Sequence, residues 1–128
     1  MRKLFIVFIL LALTGAFVNV NAQSNKTVVG QWKYSVPEAP YGYEKGVISL
    51  TEKDKALSGD LIFDSGYKVK LASVSLKADT LRLGVYIESE YITAISKVKG
   101  NKIDGTVDSS LGKMTFKAEK ILSNEKRE

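Results

Sequence analysis

Residues 80–108, TLRLGVYIESEYITAISKVKGNKIDGTVD, decide how the chain folds. Leu81, Leu83, Val85 and Ile87 occur at every second position, with Arg82 and Tyr86 between them. An extended chain turns that period into one apolar face and one polar face, whereas a helix would scatter it. Glu88-Ser89-Glu90 forms a turn, a second alternating run fills 91–98, Gly100-Asn101 turns the chain again, and Ile103, Gly105 and Val107 resume the pattern. Strands joined by such short turns are antiparallel neighbours.

Working outward, similar runs occupy 30–36, 46–53, 57–65 and 67–76 before this stretch and 113–120 after it, which makes eight strands. Leu57, Gly59, Leu61 and Phe63 share one face, with Ser58, Asp60 and Asp64 opposite; Met114, Phe116 and Ala118 share another. Lys53-Asp54-Lys55, Ser65-Gly66, Lys77-Ala78-Asp79 and Leu111-Gly112 supply hairpin chemistry between runs, and no window offers an amphipathic helix. The expected architecture is all-β: an antiparallel up-and-down barrel of about eight strands over residues 30–120, closed because closure removes exposed sheet edges.

The fourth run departs from the rule. Tyr67, Val69 and Leu71 lie on one face while Ala72, Val74 and Leu76 lie on the other, so the phase slips between Leu71 and Ala72. A β-bulge there would restore an inward face and bend the strand; burial on both faces would also account for it. DKALSGDL at 54–61 resembles NKIDGTV at 101–107, each running from turn to lysine to glycine, and Gly59, Gly84 and Gly105 are candidate bends at barrel corners.

Arg2 and Lys3 precede the uncharged apolar run LFIVFILLALTGAF at 4–17, and Val20-Asn21-Ala22 follows with small residues where a signal peptidase reads. Residues 1–22 therefore read as a signal peptide cut between Ala22 and Gln23, too short to anchor the chain as a membrane span. The expected location is periplasmic or secreted, with 23–29 a flexible N-terminal arm and 121–128 a charged C-terminal tail. Loss of Arg2 and Lys3 takes the formal net charge from +5 to +3. So mild and dispersed a charge does not point to nucleic acid.

The chain has neither cysteine nor histidine. Without them it has no disulfide staple, no Ser-His-Asp or Cys-His arrangement and none of the usual zinc ligand sets. Asp60 with Asp64, and Asp104 with Asp108, have the spacing of same-face carboxylate pairs, but each pair lies opposite the apolar set and reads as solvated. No catalytic residue, metal ligand or cofactor site is expected.

Gly30-Gln31-Trp32 at the start of the meander resembles the Gly-x-Trp signature of lipocalins and calycins. With the later LSG and IDG hairpins, the chain is similar to compact lipocalin-like modules of Gram-negative bacteria. The resemblance implies that Trp32 plugs one end of the barrel and that the interior holds a small ligand. Leu61, Phe63, Leu81, Leu83, Val85, Met114 and Phe116 form an apolar lining that is equally a packed core. The longest connection, VPEAPYGYEKG at 36–46, carries both prolines and is stiff enough to act as a lid over the barrel mouth. The candidate ligand contacts are Tyr41, Tyr43, Lys45, Phe63, Arg82 and Phe116. The expected partner is a small hydrophobic or amphipathic molecule; the alternative is a filled barrel acting as a structural or protein-interaction module, such as a protease inhibitor.

Overall fold

The computed structural model describes residues 24–122. The expected signal peptide and cleavage point, and nearly all of the expected charged tail, lie outside the described residues. A short 3-10 turn, Asn25–Thr27, precedes nine strands: β1 (Gly30–Ser35), β2 (Lys45–Lys53), β3 (Ala56–Phe63), β4 (Lys68–Lys70), β5 (Ser73–Lys77), β6 (Thr80–Ile87), β7 (Glu90–Lys99), β8 (Lys102–Ser109) and β9 (Gly112–Lys120). Every pairing is antiparallel, in the order β4-β3-β2-β1-β9-β8-β7-β6-β5.

That order makes the sheet a barrel. Laid flat, nine strands would hold β4 and β5 roughly 38 Å apart at the usual inter-strand spacing, yet Leu71 and Ala72 alone connect them, a link that reaches only about 10 Å. The sheet must curl until its edges meet. At the seam, the Leu71 N–H donates to the Gly59 carbonyl of β3 at 2.9 Å, and the next N–H, of Ala72, donates to the Gly84 carbonyl of β6 at 2.7 Å.

The expected eight strands become nine because the fourth run divides where its phase slips. β4 pairs with β3 and β5 pairs with β6, so the chain crosses between two neighbours instead of bulging along one. Leu71 is buried, Ala72 and Ser73 are exposed, and Val74 and Leu76 return to the inner side opposite Leu83 and Leu81. The extra outward residue is the observed form of the slip.

Period two sorts the remaining side chains. Trp32, Tyr34, Ile48, Leu50, Leu61, Phe63, Leu81, Leu83, Val85, Ala94, Val98, Ile103, Met114, Phe116 and Ala118 are buried as one core. Asp104 and Asp108 point outward and pair with Lys117 and Lys113 across the ladder at 3.6 and 3.9 Å. Exposed pairs at these distances add little to stability.

Residues 24–29 depart from the expected free arm. Asn25 Nδ2 donates to the Lys55 carbonyl at 3.0 Å, Lys120 Nζ donates to the Thr27 carbonyl at 3.1 Å, and Val28 is fully buried. The segment closes over one end of the barrel because Val28 can bury its side chain there and Trp32 needs an acceptor for its indole N–H.

Candidate functional site

In an up-and-down barrel, alternate connections lie at the same end. The 3-10 turn and the β2–β3, β5–β6 and β7–β8 turns lie at one end; the β1–β2 loop and the β3–β4, β6–β7 and β8–β9 turns lie at the other. Trp32 seals the first end, its Nε1–H donating to the Val28 carbonyl at 2.9 Å and the Lys120 ammonium lying 5.5 Å from its ring centroid. Under the connections at the second end lies a cavity of about 250 Å³.

Its wall is chiefly apolar. Ile48, Leu61, Phe63, Leu83, Val85, Ala94, Met114 and Phe116 form the sides, while Val36, Ala39 and Pro40 of the long loop and Leu111 of the β8–β9 turn form the rim. Aromatic rings organise one side: Tyr43 meets Phe63 edge-on at 4.9 Å between centroids, Tyr67 stacks on the same ring at 5.9 Å, and Tyr34 lies 6.4 Å from Phe116.

The long loop is held by polar contacts at both ends. The Val36 N–H donates to the Glu44 carbonyl at 2.8 Å, the Gly42 N–H to Glu44 Oε1 at 2.7 Å, and the Tyr34 hydroxyl to the Tyr43 carbonyl at 3.0 Å. Glu38 reaches across to accept the Thr115 N–H at 2.8 Å. β9 pairs with β1 only from Lys117 to Lys120, so this carboxylate satisfies a donor that the ladder leaves open. Burial, with the Asp64 and Glu44 carboxylates adding to it, pushes the Tyr34 hydroxyl well above its ordinary pKa.

Across the mouth, the Tyr43 hydroxyl donates to Glu88 Oε2 in the β6–β7 turn, and that hydrogen bond raises the tyrosine's pKa. Glu90 in turn accepts from both the backbone N–H and the hydroxyl of Ser110, the latter at 3.0 Å. These contacts link three of the four connections at the open end. Glu88 and Ser89 have φ of 51° and 71°, so both central residues of this hairpin are left-handed without being glycine. Asn-Gly is the pair that such a turn usually takes.

Of the six expected contacts, Tyr43, Phe63 and Phe116 come together on the cavity wall. The other three do not. Arg82 is on the outer face, since Leu81 and Leu83 on either side of it face inward. Tyr41 sits at the tip of the loop, 96% exposed, beyond the reach of the rim. Lys45 opens β2 on its outer side and lines an external depression with Lys33, Asp64, Lys117 and Glu119. Glu88, Glu90, Ala94 and Leu111 escaped the sequence reading. The signal for the first two was present: counting turns from the first strand places Glu88 at the same end as the long loop. Among the described residues, no three Asp, Glu, His or Cys side chains assemble as a metal-binding group.

No protein-family model matches the chain, and no curated protein matches it in sequence. Among solved structures it is similar to a mutant of the fluorescent protein UnaG, at 14% identity and a TM-score of 0.51, over 77% of this chain and 99% of that one. A zebrafish ileal bile acid-binding protein complexed with cholic acid also matches, at 14% identity and a TM-score of 0.38, over 74% of this chain and 99% of the other. The first likeness is one of fold: over the described residues the chain is an antiparallel β-barrel with nine strands and almost no helix.

Proposed function

We propose that the protein is a non-enzymatic binding protein for a small hydrophobic or amphipathic molecule, held at the barrel mouth after export from the cytoplasm. The observation that carries this reading is the cavity: about 250 Å³, walled by apolar side chains and opening under a loop stiffened by Pro37 and Pro40. Its volume is just under the range of about 300–1,000 Å³ usual for small-molecule sites, which favours a short ligand whose polar end stays in the mouth. Affinity would come from removing apolar surface from water against Phe63, Leu83 and Phe116. The proposal of export rests on Arg2, Lys3, the apolar run at 4–17 and the small residues around Ala22.

Titration with octanol, followed by displacement of a fluorescent apolar probe, tests the reading. Saturable binding to the purified protein is expected, and Ala94→Leu, which adds three carbons to the cavity wall, should abolish it while the protein stays folded. Equal binding by the wild type and the filled variant would place the ligand elsewhere. A protein-interaction role is the second reading, favoured by Tyr86, Tyr91 and Ile95, which leave an exposed apolar patch outside β6 and β7. In that case octanol would not bind at all, and alanine substitution at Tyr86 and Tyr91 would be the damaging change.

A further inference from the structure

The charged side chains on the cavity wall are of one sign. Glu88 and Glu90 line it, and neither lysine nor arginine does. The other polar groups there are already engaged or neutral: the Tyr34 hydroxyl donates to the Tyr43 carbonyl, the Tyr43 hydroxyl donates to Glu88, and Thr93 and Ser109 carry no charge. A carboxylate or sulfate head brought to this mouth would meet acceptors and like charge, with no cation to pair it.

The surroundings reinforce that bias. The four connections at the open end carry Glu38, Glu44, Asp64 and Glu88 and no lysine or arginine; the flanking cations Lys45, Lys68 and Lys113 are exposed on the outer side of β2, β4 and β9 and do not line the cavity. The protein as a whole is cationic, with a formal net charge of +5 over the full sequence and +3 without Arg2 and Lys3, so the acidic mouth runs against the overall balance. A cluster of one sign around a low-dielectric opening attracts the opposite sign and repels its own.

Among these carboxylates, Glu88 is the one placed to meet a ligand. Only Glu88 and Glu90 line the cavity, and both oxygens of Glu90 are taken by Ser110; Glu38 and Glu44 bind backbone N–H groups and do not line it, and Asp64 lines the external depression with Lys45. Glu88 accepts from Tyr43 through Oε2, leaving Oε1 without a partner among the described residues. It does so from a left-handed backbone position that costs stability for a non-glycine side chain. Asparagine tolerates that backbone better, so it is the substitution that removes the carboxylate without straining the turn.

We infer that the ligand of the proposed site is a cationic amphiphile, an alkylamine or a similar apolar body bearing one positive nitrogen, whose head pairs with Glu88 while its tail fills the cavity. The inference rests on the binding reading above and specifies its ligand class. Ammonium N–H groups would donate to the free Oε1, and the Tyr43 ring, already hydrogen-bonded to the same carboxylate, would form the wall beside the head.

Three probes with the same tail separate this inference from the reading beneath it: octylamine, octanol and octanoate, titrated into the wild-type protein at pH 7. Octylamine should bind about tenfold more tightly than octanol, the difference that one charge-assisted hydrogen bond at a partly solvated mouth supports, with octanoate weakest. Glu88→Asn should erase the preference for the amine over the alcohol, read as the ratio of the two affinities measured on the same variant. It should also leave Tm unchanged or raise it, because asparagine tolerates the left-handed turn better. A purely structural glutamate would instead lose Tm and keep the ratio. Octanoate equal to or tighter than octylamine overturns the charge assignment while the cavity reading stands; failure of all three probes to bind overturns both.

Discussion

The two ends of the barrel are built from the same hairpins yet spend their side chains in opposite ways. At the closed end the indole of Trp32 is fully buried, its one donor satisfied by Val28, and the 3-10 turn lies over it. At the open end the equivalent layer is split: Tyr34, Phe63 and Phe116 are buried, but the rings and carboxylates above them stop short of filling the space. One end is finished as a core and the other as a wall. Burial is therefore complete where the barrel is sealed, and space remains where it is not.

The largest expected effect lies at the seal. Trp32→Ala removes the biggest fully buried side chain and leaves the Val28 carbonyl without its indole partner, so it should lower unfolding free energy by about 3–5 kcal/mol. Urea unfolding measures it. A loss no larger than that of a typical exposed substitution would show that the closed end is not the anchor.

Next comes the seam. A Cβ on Gly59 would lie 2.3 Å from the Ser49 carbonyl oxygen and 2.9 Å from Leu50 Cδ2, and the Gly59 carbonyl also receives the Leu71 N–H that starts the crossing. Gly59→Ala should cost about 1–3 kcal/mol through overpacking. Hydrogen exchange at Leu71 and Ala72 should accelerate with it. Unchanged exchange at both amides would mean that the crossing holds independently of the strand bend.

Tyr34 connects the two regions, buried like the closed end yet facing the cavity. Its folded-state pKa is raised by burial first and then by Asp64 and Glu44, so the neutral phenol is favoured in the native state. Stability that depends on it is complete below the unfolded pKa of about 10 and is lost as pH rises beyond that value. Tyr34→Phe should cost about 1 kcal/mol at neutral pH, from the hydrogen bond to the Tyr43 carbonyl. It should also flatten the fall of Tm between about pH 9 and pH 11. An alkaline slope equal to that of the wild type would assign the titration to other groups.

What the residues disclosed and what they hid follow from the range of the interactions involved. Period two in Leu81 to Ile87 and Leu57 to Phe63 is a local signal, and it placed those side chains correctly on the inner face. The slip between Leu71 and Ala72 was also visible, but its form was not: whether a strand bulges or crosses to a new neighbour depends on which carbonyls lie opposite, here those of Gly59 and Gly84. Arg82 was misplaced for the opposite reason. Its own alternation with Leu81 and Leu83 puts it outside, so as a polar ligand contact it faces away from the cavity. The residues 24–29 looked like a free arm because the acceptor that Trp32 needs, the Val28 carbonyl, is apparent only once the barrel end is closed.

The smallest effects divide the long loop itself, and they bear most directly on function. Tyr41 and Tyr43 are two residues apart on either side of Gly42, whose φ of 97° turns the chain between them. The turn sends one ring to solvent and the other onto Phe63 and Glu88. Tyr41→Ala should leave both Tm and octanol binding unchanged. Tyr43→Ala should weaken binding by about fivefold, the scale of one lost aromatic contact, with a smaller drop in Tm than Tyr34→Phe because the lost ring faces the mouth. Tyr43→Phe isolates the hydroxyl: it keeps the edge-on contact with Phe63 and frees Glu88 Oε2, so neutral-ligand affinity should hold while ligand exchange quickens. If Tyr41 proved the more sensitive position, the ligand would sit above the loop and the cavity beneath it would be only an unfilled part of the core.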